Sequence, residues 1–244
     1  MRLSDTPTPE DDARERIYRY VERNGAVKPV EVSAEVGVDP ESFSHHLSML
    51  KRDGYLAERE GRLEVVVDAG EAEQHRESGV AYTVRPARQA DLSGVYGAIE
   101  QVATARTSIV AESVGEQLQV EDALVRHNRF ESRVFFVATV DGEVVGWAHL
   151  RTPNQAKLAH TAQATTGVLE EYRRHGIGSH LLARSTEYAA SEGYERLYDS
   201  LPATNQHGVA FLLANGWEIE AVRSDHYRMG NEYVDEVMLA RDLT

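Results

Sequence analysis

One segment restricts the possible architectures more than any other: Gly167-Val168-Leu169-Glu170-Glu171-Tyr172-Arg173-Arg174-His175-Gly176-Ile177-Gly178-Ser179. It reads as the end of a strand, a basic turn, and a helix that opens on two glycines one residue apart. The first N–H groups of a helix have no partner within it and stand at the positive end of its dipole. Glycine there lets a ligand approach the backbone closely. The expectation is an anion cradle, with Arg173 and Arg174 adding positive charge. Two familiar phosphate loops do not fit. A dinucleotide fingerprint needs glycine where Leu181 stands, and a P-loop needs Gly-Lys-Ser/Thr, which is absent.

Around this segment strands and helices alternate. Strands are expected over 82–85, 133–140, 143–150, 158–168, 196–201, 217–222 and 233–239, with an Asp141-Gly142 hairpin turn between the second and third. Helices are expected up to residue 102 and over 116–127, 176–191 and 205–214. This order predicts an α/β fold, a mixed sheet with helices on both faces. The stretch 69–79 is charged and nearly free of large apolar residues, so it reads as a linker. The resulting division is a small domain over 1–68, a linker over 69–81 and a larger domain over 82–244.

In the small domain, Ile17, Tyr20 and Val21 mark an amphipathic helix over 12–24 closed by Gly25. A short helix is expected over 29–36. A third opens at Asp39-Pro40, a capping residue followed by a proline suited to the first helical position. Phe43, Leu47 and Leu50 form its buried stripe, and strands over 55–59 and 63–67 flank a turn at Gly61. The run Ser44-His45-His46-Leu47, Leu50 and Gly54-Tyr55-Leu56 resembles a winged helix-turn-helix. That resemblance implies DNA as a partner, with Ser42, Ser44, His45, Ser48 and Lys51 in the major groove and Arg59 and Arg62 on phosphate. Against it, residues 1–70 hold 10 basic and 15 acidic side chains, so no basic footprint supports DNA; a helical domain for protein contacts is the alternative.

The net charge of −14 does not identify a partner, since strong salt shortens the reach of charge to a few ångströms. Only three of the 26 basic residues are lysines, Lys28, Lys51 and Lys157, and this acid-rich, lysine-poor balance resembles proteins of salt-loving archaea. With no cysteine, disulfides, thiolate metal sites and cysteine nucleophiles are excluded, and no metal site is expected. No apolar run approaches the ~18 residues of a membrane span, and residues 1–10 lack an apolar signal region, so the expected location is cytoplasmic and no membrane partner is expected.

The full string Arg-x-x-Gly-x-Gly after a strand, with Val168 six residues before Arg174, resembles the pyrophosphate motif of the GNAT N-acetyltransferases. Asn205 through Leu212 followed by Asn215-Gly216-Trp217, and the final Tyr233-Val234-Asp235-Glu236-Val237-Met238, are similar to that family's later motifs. The resemblance implies the GNAT acyl-CoA N-acyltransferase fold and acetyl-CoA as the co-substrate. It implies that the backbone at Val168 pairs with the pantetheine arm and that Arg173, Arg174, His175, Gly176, Ile177, Gly178 and Ser179 hold the pyrophosphate. It further implies that Asn205 touches the pantetheine, and that the strands before Val168 and Pro202 splay to form a slot.

The implied reaction is acetyl transfer to an amine, yet the family's usual acid/base positions are altered. Gln163 and Ser200 stand where glutamate is common, and Leu212 where tyrosine is common. The candidate catalytic residues are His160, Gln163 and Asp199, of which Gln163 cannot itself move protons, while Tyr198 and Tyr233 read as core aromatics. Transfer by proximity alone, with water taking the proton, is a further option. Three functions therefore compete: an N-acetyltransferase on a small or protein amine, an acetyl-CoA-sensing DNA-binding regulator, and a non-catalytic interaction module. The acceptor, the oligomeric state and the segment 103–133 stay unread.

Overall fold

The computed structural model describes residues 9, 11–103, 109–153 and 155–244. The expectation for residues 1–10 falls outside them except at Pro9, as do residues 104–108 of the unread segment.

The N-terminal part holds α1 (Asp12–Asn24), α2 (Pro29–Glu35), α3 (Pro40–Arg52) and a hairpin of β1 (Leu56–Arg59) and β2 (Arg62–Val65). Local chemistry sets the helix ends. The Asp11 carboxylate accepts the Arg14 N–H and Asp39 accepts that of Ser42, while Gly25 ends α1 at φ 69°. Ile17, Val21, Val32, Phe43, Leu47, Leu50, Leu56 and Leu63 close a core of their own. A small three-helix unit with a two-stranded hairpin is therefore present.

The rest of the chain runs β3 (Glu73–Glu77), β4 (Val80–Pro86), α4 (Leu92–Ala103), α5 (Ile109–Glu121), β5 (Arg126–His127), β6 (Glu131–Val140), β7 (Glu143–Pro153), β8 (Thr161–Val168), α6 (Ile177–Ser191), β9 (Arg196–Pro202), α7 (Gln206–Ala214), β10 (Glu218–Met229) and β11 (Glu232–Asp242). The sheet order is β10-β11-β9-β8-β7-β6-β4-β3, with β5 beside β6. Among the described residues β8 and β9 form the one parallel pair. One face packs α6 and α7 over Phe136, Leu150, Leu197 and Leu239; the other packs α4 and α5 over Phe135, Val137 and Trp147. The mixed α/β sheet covered on both faces is thus the architecture.

Three expectations change. Residues 73–77, read as linker, form β3: its turn, Ser78-Gly79, has positive φ at both positions and folds the strand back onto β4. No apolar residue marks β3; instead His75 stacks on Tyr82 and His180. The helix expected over 116–127 is α5, which starts at Ile109 and stops at Glu121, and β5 takes the end of that range. The strand expected from residue 158 starts at Thr161, because a turn over 156–160 precedes it.

The two parts are joined by polar contacts as well as by chain. Tyr18 Oη donates to the His127 carbonyl at 2.7 Å. Glu22 accepts from Asn128 Nδ2 at 2.9 Å and pairs with Arg126, whose Nη1 also donates to the Glu22 carbonyl at 2.6 Å. Arg126 in turn shares Glu121 with the fully buried Arg133.

Candidate functional site

The chain leaves β8 at Val168, makes a single 3-10 turn over Glu170–Tyr172, and enters α6 through two left-handed residues, Arg174 (φ 66°) and Gly176 (φ 73°). Gly176, the residue at the cap position, has no side chain to bond the first N–H groups of α6, and the Glu77 carboxylate stands beside it. Arg173 Nε donates to the Val168 carbonyl at 3.0 Å and ties the turn to the strand. Arg173 and Arg174 are exposed, His175, Gly178 and Ser179 half-buried, and buried Ile177 anchors the helix start. The glycines answer to close neighbours. A Cβ at Gly178 would stand 3.3 Å from the Phe211 ring, one at Gly167 2.9 Å from the Trp147 indole, and one at Gly176 would meet the Glu77 carboxylate.

Beside this cradle the sheet opens. β8 and β9 pair only at Thr161↔Arg196, Ala162↔Leu197 and Gln163↔Tyr198. Beyond that, β8 stays with β7 as far as Val168, and β9 stays with β11 as far as Pro202. Each strand therefore turns an unpaired edge towards the other, and such edges offer backbone donors and acceptors to an extended ligand. Asn205 follows β9 as the cap of α7, its Oδ1 accepting the Gly208 N–H at 2.9 Å.

The predicted acid/base candidates separate in space. His160 is exposed in the turn before β8, where its carbonyl accepts the Glu195 and Arg196 N–H groups. It lies about four residues, roughly 13 Å of strand, from the opening at Ala164. Gln163 occupies the last paired position, level with Tyr198. Asp199 is the first residue past that point and is 6% exposed. Burial pushes its carboxyl up to about 8, against the opposing pull of the Ser200 N–H and Thr165. Leu212 is buried in the core, whereas Tyr233, read as a core aromatic, is 65% exposed on the final hairpin. Tyr198 is half-buried beneath the Arg196 guanidinium.

Sequence reasoning missed a second group. Ser200 Oγ lies 3.5 Å from Tyr227 Oη, and Tyr227 donates to Glu236 Oε1 at 2.8 Å. Glu236 Oε2 pairs with Arg223 at 2.8 Å and has His226 Nε2 at 3.5 Å. Burial raises the Glu236 pKa, but the two hydroxyls and the two basic neighbours outweigh it and leave it below the ordinary value. Burial and Glu236 hold the Tyr227 phenol up at about 12, with Ser200 acting the other way. The available signal was alternation: Val237 and Leu239 face the core, so Glu236 must face the opposite side. His149 was missed too. It is fully buried against Phe135, and burial, followed by Arg133 and Arg151, keeps it neutral.

Residues 99–217 match the sequence profile of the acetyltransferase (GNAT) family. An N-alpha-acetyltransferase of Sulfurisphaera tokodaii is 32% identical over 120 residues, covering 44% of this chain and 70% of that protein. Two solved structures share the fold. One is a ribosomal-protein-alanine N-acetyltransferase from Brucella melitensis (TM-score 0.52, 22% identity, 65% of this chain and 98% of that one). The other is a Salmonella typhimurium protein solved with its cofactor acetyl-CoA (TM-score 0.55, 15% identity, 67% and 94%).

Proposed function

Because the chain belongs to the acetyltransferase (GNAT) family and is an N-acetyltransferase that draws on acetyl-CoA, we propose that it acetylates the α-amino group at the start of a polypeptide. The observation that carries the site is the parting of β8 from β9 directly beside the left-handed entry to α6. An acyl-pantetheine arm threads that opening along the Val168 edge. The backbone from Arg173 through His175, Gly176, Ile177 and Gly178 to Ser179 takes the diphosphate, and Asn205 flanks the arm. The acceptor class rests on the name of the Sulfurisphaera tokodaii relative.

In this reading Asp199 is the proton donor. A carboxyl with a pKa of about 8 is protonated at neutral pH, and it stands where the strands part. As the amine nitrogen bonds to the thioester carbon and the C–S bond breaks, Asp199 protonates the departing sulfur. The second proton lost by the nitrogen restores it. His160 has no part in this scheme, and Gln163 serves as a polar contact at the crotch of the slot.

A second role, DNA contact through a winged-helix unit ending near residue 68, is favoured by one observation: Ser44, His45, Ser48 and Lys51 are all exposed on α3. Lys51 and Arg59 are engaged by Glu58 and Glu64, but such exposed pairs are worth only ~0–1 kcal/mol and can be exchanged for phosphate. A gel shift on upstream DNA, absent for Lys51→Glu, tests it.

Calorimetry with CoA and mass spectrometry of short peptides incubated with acetyl-CoA test the main reading. Gly176→Asp sets a charged side chain at a positive φ against Glu77 and the incoming phosphate. CoA affinity should fall at least ~100-fold, about 2.7 kcal/mol. Undiminished affinity would contradict the cradle, and acetylation of small amines with no peptide modified would contradict the acceptor class.

A further inference from the structure

The final hairpin holds ionisable groups that the cofactor site does not use. β9, β10 and β11 each contribute one member: Ser200, Tyr227 and Glu236. The register explains their meeting, since Met238 lies opposite Ser200 and Glu236 opposite both Pro202 and Arg223. Paired residues share a face, so Glu236 projects on the side of the sheet that carries Ser200, away from Leu197 and Leu239. Ser200 itself lies on the splayed part of β9, past the last bridge to β8.

The hydrogen-bond directions are set by the end group. An ionised carboxylate only accepts, so the Tyr227 hydroxyl must give its hydrogen to Glu236 Oε1. Tyr227 Oη then has lone pairs for the Ser200 hydroxyl, and Ser200 Oγ has lone pairs for a donor in the slot. All three hydrogens point the same way. Arg223 holds the far oxygen of Glu236, and His226, partly exposed, stands beside it as an outlet to water.

We propose that Ser200, Tyr227 and Glu236 form a proton relay that deprotonates the acceptor ammonium. This rests on the acetyltransfer reading and adds the base that the slot otherwise lacks. The ammonium proton passes to Ser200 Oγ as the Ser200 hydrogen moves to Tyr227 Oη and the Tyr227 hydrogen moves to Glu236. The freed nitrogen lone pair attacks the thioester carbon, and Glu236 releases its proton through His226 to solvent. One proton leaves the site for each acetyl transferred, and the sulfur's proton comes from Asp199, so the balance closes. Ser200 is the catalytic member because it meets the amine; Tyr227 and Glu236 are positioning residues that act through it. Asp199 and Glu236 are two carboxyls one strand apart, pushed in opposite directions by their surroundings, and opposite shifts of this kind divide an acid from a base.

The test uses the full chain with Tyr227→Phe, Glu236→Gln and Ser200→Ala. Acetylation is followed on the peptides and, in parallel, on small amines, so that a wrong acceptor class leaves the relay testable. Each variant should lose ~100-fold in kcat, the size of a general-base contribution. The acetyl-CoA KM and the CoA affinity by calorimetry should stay within about twofold, as the cradle is untouched. The wild-type solvent deuterium effect on kcat should reflect more than one proton in flight and should shrink in Tyr227→Phe, which a purely structural role would not produce. Ultraviolet titration, with Tyr227→Phe as the blank, should show the phenol falling from about 12 towards its ordinary value in Glu236→Gln. Variants that bind CoA normally and keep kcat within twofold of wild type would overturn the relay. So would a phenol unmoved by Glu236→Gln.

Discussion

At the scale of single residues, Asp199 links proton chemistry to stability. Its carboxyl titrates near 8 in the folded chain against 3.8 when exposed, because burial disfavours the charge. The folded state therefore holds a proton that the unfolded state has released between those values. The stabilisation is complete below pH 4 and is lost as pH rises through 8, by up to ~1.4 kcal/mol per pH unit across the window. Asp199→Asn keeps the shape and cannot ionise. Its unfolding free energy should exceed that of wild type at pH 8 to 9 by a few kcal/mol in urea titrations, while its turnover at neutral pH falls at least ~10-fold for want of a donor. Equal pH slopes for the two proteins would show that Asp199 is not a buried neutral acid. Gln163 and Leu212 show the complementary point: their inability to move protons was readable in the sequence, but what replaces them was not.

Among the elements, what could be read depended on whether the cause was local. The ends of α1 and α3 follow from Gly25, Asp39 and Pro40, and the entry to α6 from Gly176, because caps and turns are decided within a few residues. β3 lacked any apolar pattern, and its Ser78-Gly79 turn was the one clue. The relay could not be read at all, since it depends on β9, β10 and β11 bringing positions 200, 227 and 236 into register. The seam between α5 and β5–β6 is equally non-local. Arg133 is fully buried, and Glu121 supplies its one carboxylate ion pair among the described residues, together with the Ala123 and Leu124 carbonyls. Removing one partner of a buried pair leaves the other charge desolvated. Glu121→Gln should therefore lower stability by ~2–4 kcal/mol in urea unfolding, allowing for the partial exposure of Glu121. A loss below ~0.5 kcal/mol would mean that the two carbonyls suffice for Arg133.

For the whole molecule the governing quantity is an excess of acid: 40 aspartates and glutamates against 26 arginines and lysines. Two opposing effects of salt follow. Exposed ion pairs such as Arg19–Glu15 and Arg16–Asp12 weaken on screening, but each is worth only ~0–1 kcal/mol. The unpaired negative charges repel one another across the surface, and folding confines them to a smaller volume than the unfolded chain occupies. Raising KCl from ~0.1 M to ~1 M cuts the screening length from ~10 Å to ~3 Å and removes most of that repulsion. Arg126 and Glu22 are both buried enough to keep their pairing, so the contact between the two units survives the same change. Repulsion should dominate the balance. Tm should climb by about 5 °C or more over that range, equivalent to roughly 2 kcal/mol for a chain of this size. Chloride is the anion to use, because sulfate strengthens burial by exclusion and would mimic the effect. A Tm that stays flat or falls would place the excess carboxylates in pairs that already neutralise them, and the likeness to proteins of salt-loving organisms would then be compositional only.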